Sequence, residues 1–256
     1  MFTEQFAFDP HSLVNFVGGG GKTALVHRLM QEFSTRGQVL YTTTTRMHPP
    51  DPGEGIVQIS GDNFDLLGQI LGSVARSIPA HYFKLVVTGS YMSPTLLRGV
   101  PADFDNAVDR EFFSILLNEA DGAAGFSLKM PRDGEPVLME DAQYLVPVVG
   151  IDCLHQPVDA SVIFRFEKFL EHFPDQAEEH INSQLASDIL MHPQGVCKDW
   201  KPGMSIVPFI NKVENPEQEA GARDLARRIL RNGNFPVDRV LFGSVSRDEV
   251  GSIGAS

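Results

Sequence analysis

The chain has 256 residues, 42% of them apolar; a chain of this size buries roughly three quarters of its unfolded surface and needs no disulfide or metal staple. The 21 Lys and Arg residues against 33 Asp and Glu leave a formal charge of −12, which repels nucleic-acid backbones and anionic lipid and excludes general binding to either. Two cysteines without a CxxC pair, no basic leader before Lys22, and no apolar run near the roughly 18 residues of a membrane span predict a cytoplasmic protein.

Short apolar runs rich in β-branched and aromatic residues predict strands at 13–17, 38–42, 84–88, 112–118, 144–149, 205–210 and 239–242. Several are apolar throughout, as strands covered on both faces are. After the first, Leu25, Val26, Leu29, Met30 and Phe33 keep 3.6-residue spacing, which predicts a helix from about Lys22. Pro49, Pro50 and Pro52 mark a loop after the second strand. Between about 152 and 202 the strand rhythm lapses. There Phe164, Phe166, Phe169, Leu170 and Phe173 predict a short helical insert, its aromatic side either core or partner-facing. The last helix has Asn215 as cap, Pro216 in its first turn and Gln218 to complete a capping box. Leu225, Ala226, Ile229 and Leu230 form its apolar face, and Gly233 stops it. Strands alternating with helices predict one α/β domain over 1–256, P-loop NTPase-like, with three layers, a mostly parallel sheet and the helical insert.

The run Val17-Gly18-Gly19-Gly20-Gly21-Lys22-Thr23 joins the first strand to the first long helix. Glycines let the chain turn tightly and aim successive N–H groups at a phosphate, and the helix N-terminus adds positive potential. Lys22, expected to be exposed at the helix start, would reach the terminal phosphates, and the Thr23 hydroxyl would ligate Mg²⁺. Phe16 stands where the full Walker pattern has its first glycine, so the loop is a shortened one. A purely structural glycine turn is the alternative.

Further along, the strand at 112–118 ends in Glu119-Ala120-Asp121-Gly122. Ligands bind at the carboxyl ends of parallel strands, so Glu119 and Asp121 are candidates to hold Mg²⁺ or activate water. They share one side if the strand continues through them, whereas a plain Asp-Gly turn is the other reading. The second strand ends in four threonines and Arg46. Thr44 and Thr45 are candidates for a γ-phosphate or its metal, and Arg46 for charge developing on a transferred phosphoryl group; ordinary strand is the alternative. Asn211-Lys212-Val213-Glu214 resembles the Asn-Lys-x-Asp element with which GTPases read guanine, although Glu214 replaces Asp and an ordinary loop is the rival reading. The added methylene predicts only a weak preference for GTP over ATP. The eight histidines have no HxH or HExxH spacing. Cys197 lies near His192 and Lys198 with nothing around it to activate a thiolate.

In this order the motifs resemble the YqeC family of selenium-dependent (molybdenum) hydroxylase accessory proteins, over almost the whole chain. The resemblance rests on residues 17–23, 42–46 and 119–122, with further matches at 128–131, 135–136, 148–152, 192–195 and 211–212. It implies a P-loop accessory protein that binds ATP or GTP with Mg²⁺ and serves maturation of a molybdenum hydroxylase, an enzyme holding a molybdopterin cofactor and a labile selenium. The implied partners are that hydroxylase or its cofactor-maturation proteins. Ala124 stands where the family often has Lys, which passes any phosphate contact there to Lys129. Three functions follow: a slow Mg-NTP hydrolase driving insertion, a non-catalytic chaperone holding a cofactor, or a small-molecule kinase using the same loop.

Overall fold

Strand β1 (Leu13–Gly18) explains why the predicted runs lack alternation. Leu13 and Val17 enter one apolar layer, while Val14 and Phe16 enter another on the opposite face, and all four are fully buried. A strand covered on both sides has no solvent face to mark with polar residues. The structure, a computed structural model, describes residues 1–50, 55–78, 83–176 and 178–254; Pro52 lies outside them.

In chain order, α1 (Phe2–Phe6) precedes β1, and α2 (Lys22–Ser34), β2 (Val39–Thr43), β3 (Ile56–Ser60), α3 (Phe64–Ser77) and β4 (Lys84–Thr88) follow. A small hairpin, β5 (Tyr91–Ser93) and β6 (Leu96–Leu97), leads to β7 (Ile115–Glu119), β8 (Leu128–Lys129) and β9 (Tyr144–Gly150). The rest comprises β10 (Ile163–Phe164), α4 (Phe166–His172), α5 (Ser183–Leu190), β11 (Ser205–Ile206), β12 (Phe209–Asn211), α6 (Pro216–Arg231), β13 (Arg239–Ser244) and β14 (Glu249–Gly254). The main sheet has the order β14-β13-β12-β9-β1-β7-β2-β4-β3, with β11 also on β9. Its pairs are parallel except β13 with β14. Leu25, Val26, Leu29, Met30 and Phe33 of α2 cover one face beside Phe2 and Phe6 of α1. Residues of α3, α5 and α6 cover the other. The protein is therefore α/β, with an open, mostly parallel sheet between helical layers. Among the described residues no helix is long and apolar enough to cross a membrane.

Several elements differ from the sequence expectation. The run 205–210 divides into β11 and β12 around Pro208, which has no N–H for the ladder. The strand expected at 112–118 begins only at Ile115, because Arg110–Phe112 is a 3₁₀ turn. The expected elements do not include β3, β14 or α3; the two strands carry weak signals of their own, whereas α3 has an Asn63 cap and a clear apolar face. β14 is held by its six-residue register with β13, and α3 by Leu67, Leu71 and Ala75 against the core. The insert carries two short helices, α4 and α5, and packs into the same core. Within it, α5 buries Leu185, Ala186 and Ile189 against α6. Phe169 is fully buried with its ring stacked at 5.4 Å on Phe166 and 4.9 Å on Phe173, so the aromatic side is core.

At the start of α6, the Asn215 side chain accepts from the Gln218 N–H at 2.9 Å. The Gln218 side chain accepts from the Glu214 N–H at 2.8 Å, one residue before the position a capping box requires. Asn215→Ala should therefore cost about 1 kcal/mol, read as a lower urea midpoint with an unchanged slope.

Candidate functional site

Chain polarity brings the ends of β1, β7 and β2 together, with the glycine loop between β1 and α2. The loop packs into the end of β9. Gly20 has φ +70°, and a Cβ there would collide with the backbone of Val149 and Gly150. The Gly19 N–H donates to the Val148 carbonyl and the Gly20 N–H to the Phe126 carbonyl, both at 2.9 Å. The Gly18 N–H donates to the Asp121 carboxylate at 3.0 Å. Three loop donors that the sequence directs at a phosphate are thus engaged within the protein. The donors left over are the Gly21 N–H and those of the first turn of α2. Leu25 is the first N–H to bond back, to the Gly21 carbonyl at 3.1 Å. The N–H groups of Lys22, Thr23 and Ala24 have no acceptor among the described residues.

Lys22 is buried rather than exposed, at 5% accessibility. Its side chain turns back so that Nζ donates to the Gly18 carbonyl and lies 3.0 Å from Asp121 Oδ1. Lys129 Nζ sits 2.9 Å from Asp121 Oδ2, donates to the Gly122 carbonyl at 2.7 Å, and lies 3.4 Å from Glu135 Oε2. Arg165 and Arg132 complete the chain of charges on Glu135. Burial pushes the Glu135 carboxyl up, but the Arg165 hydrogen bond and the charges of Lys129, Arg165 and Arg132 outweigh it and hold the group below the usual range. Lys22, Lys129, Arg132 and Arg165 face only Asp121 and Glu135, so this network is locally positive in a chain of charge −12.

Glu119 has separate partners. Its Oε2 accepts from the Thr23 hydroxyl at 3.1 Å and its Oε1 from the Tyr41 hydroxyl at 2.5 Å. Burial first, then the Glu119 charge, pushes the Tyr41 hydroxyl well above its usual range, so it remains a donor that fixes the carboxylate. The His27 ring meets Tyr41 edge-on at 5.8 Å. Burial lowers the His27 pKa and Lys84 adds to this, against the pull of Glu119.

These groups line a cavity of about 510 Å³, within the range of small-molecule sites. Of the residues singled out from sequence, Gly19, Gly20, Gly21, Lys22, Thr23, Arg46, Glu119 and Asp121 reach it. Gly18 lies behind it, donating to Asp121. Asp121 contributes an anchor more than a free ligand, because both its oxygens already accept from Gly18 and from a lysine. Thr44 donates to the Val137 carbonyl, and the Thr45 N–H donates to the Thr43 hydroxyl at 3.1 Å; neither lines the cavity. Lys129 is sealed in the ion network. Asn211 donates to the Gly20 carbonyl at 2.8 Å and accepts from the Val245 N–H at 3.2 Å, bracing the loop from behind. Lys212 donates to Ser127 and Asp152, at 2.7 and 2.8 Å. Glu214 accepts from Ser246 at 2.8 Å and Ser244 at 3.3 Å, away from the cavity. Residues that the sequence pattern does not single out also line the cavity: Tyr41, His27, His48, Ala123, Gly125 and Phe126. Tyr41 carries a faint signal, a polar-tipped residue near a strand end, but nothing local sets it beside Glu119.

Among the described residues no three His, Cys, Asp or Glu side chains gather as a metal cluster. The Thr23–Glu119 oxygen pair instead suits a cation that completes its shell with water and phosphate oxygens, as Mg²⁺ does. Burial pushes the Cys153 thiol up to about 12 and Cys197 higher still, so neither is an activated thiolate.

Fold and site together define an α/β protein whose glycine loop, helix N-terminus and strand-end carboxylate share one cavity. The YqeC protein family matches residues 14–167, more than half of the chain, and the chain belongs to that family. It is 28% identical over 222 residues to "Uncharacterized protein YqeC" of Escherichia coli (strain K12), spanning 86% of this chain and 84% of the relative. No solved structure matches it.

Asp121→Asn should cost about 3–5 kcal/mol, because it leaves buried Lys22 without its charge partner and Lys129 with Glu135 alone; urea unfolding reads the loss. Glu135 sets an acid limit. Its carboxyl is depressed in the native state, so its contribution is complete above the ordinary glutamate value and falls away as pH drops through the lowered native one. In Glu135→Gln the stability curve should lose this acid-side slope, as thermal unfolding across that range will measure.

Proposed function

We propose that the chain is a P-loop NTPase-like protein that binds a Mg-nucleoside triphosphate with its terminal phosphates at the start of α2. The observation that carries this reading is the convergence of unsatisfied helix N–H groups, Lys22 and the Thr23–Glu119 pair on one cavity. The N–H groups would cradle phosphate oxygens, and Lys22 would exchange the Gly18 carbonyl for a phosphate. Thr23 and Glu119 would hold Mg²⁺, which supplies charge neutralisation on the phosphates when bound. Tyr41 keeps Glu119 oriented by donating to its Oε1. Glu214, occupied by two serines, is not available to read guanine, so ATP and GTP should be accepted alike. A cytoplasmic setting suits two free, buried cysteines. The partner we assign, on the family resemblance of the motif runs, is a selenium-dependent molybdenum hydroxylase or one of its cofactor-maturation proteins.

Calorimetry with Mg-ATP and Mg-GTP tests the reading, and absence of binding by both overturns it. Lys22→Met should weaken binding at least about tenfold. Because Lys22 is buried, the exposed Thr23→Val serves as a second variant and should abolish the Mg²⁺ dependence of binding. Glu119→Gln should bind within about threefold of the parent yet turn nucleotide over about a hundredfold more slowly, since a metal-organising carboxylate acts mainly in the transition state.

A further inference from the structure

The cavity extends to Arg46, Met47 and His48, residues that take no part in the proposed phosphate contacts. It opens over the ends of β7 and β2, whereas the Asn-Lys element lies at the end of β12, on the other side of β1 and three strands from β7. Arg46 is exposed at this end and has no partner among the described residues. His48 lies beside it with Nδ1 2.7 Å from the Thr95 carbonyl. A carbonyl only accepts, so Nδ1 carries the hydrogen, and in the neutral ring Nε2 is left as an acceptor. Met47 and Leu96 supply an apolar wall. That wall is firm, because Met47 and Leu97 exchange backbone hydrogen bonds at 3.2 and 2.8 Å and tie the β5–β6 hairpin to the segment after β2.

A lone guanidinium, a hydrogen-bond acceptor and a short apolar surface select for an oxyanion, a hydroxyl and a small carbon body respectively. We propose that the Arg46–His48 end of the cavity is a subsite for a second small ligand, one that carries a carboxylate or phosphate together with a hydroxyl. The inference rests on the nucleotide reading for the occupant of the other end. It makes the cavity a two-ligand site, in which the triphosphate faces a bound molecule rather than water.

The test loads the full chain with Mg²⁺ and a non-hydrolysable ATP analogue, then titrates glycerol 3-phosphate and, separately, malate. At least one probe should bind, and which one does so distinguishes a phosphate from a carboxylate group. Arg46→Ala should weaken that binding at least about tenfold through the lost charge-assisted contact, and His48→Ala should weaken it severalfold. The analogue's own affinity should stay within about threefold in Arg46→Ala. Failure of both probes overturns the subsite. So does a tenfold loss of analogue affinity in Arg46→Ala, which would place this side chain on the nucleotide. Should the analogue fail to bind while a probe binds in an Arg46-dependent way, the nucleotide reading falls and the anion subsite stands.

Discussion

Asp121 is buried between two ammonium groups and a backbone N–H, and the geometry of the site depends on that arrangement. Its carboxylate receives Gly18 at the start of the glycine loop, Lys22 at the start of α2, and Lys129 on β8. Three segments far apart in sequence thereby converge on one charge. Taking these groups out of water is costly, and only full pairing offsets it. The arrangement is therefore nearly all-or-none: each partner is held because the others are present.

The glycines answer to the same constraint from the other side. Their absence of side chains allows the loop to lie against the backbone of β9, where Gly18 and Gly20 approach Val148 to Gly150. Asn211 then clamps Gly20 from β12 and ties the loop to the turn after β13 through Val245. A glycine run is commonly read as a set of free N–H groups. Here most of that capacity builds the loop, and the donors left over are that of Gly21 and those of the helix it introduces. The electrostatics follow, since a positive network beneath the loop and the positive end of α2 offset locally an acidic chain.

Glu119 differs from Asp121 although only one residue separates them. β7 ends at Glu119, so its side chain keeps the strand's orientation and reaches Tyr41 and Thr23 at the cavity. Beyond it the chain leaves the strand, and Asp121 turns inward to the lysines. One carboxylate meets hydroxyl partners at the cavity and the other is held in buried charge pairs.

The strand–glycine loop–helix unit, the acidic end of β7, the capped α6 and the two-sided burial of the sheet were legible from residue order, because each depends on local spacing or on a pattern of period 2 or 3.6. The edge strands β3 and β14 were not, since their pairing comes from neighbours rather than from their own apolar content. Nor did local pattern predict the inward turn of Lys22, the sealing of Lys129, the diversion of Glu214 to two serines, or the place of Tyr41 beside Glu119. Sequence by itself determined which chemical groups the chain carries and which of them begin or end an element. Tertiary structure alone decided which charges neutralise one another and which remain facing the cavity, because a side chain's partner is set by packing between segments tens of residues apart.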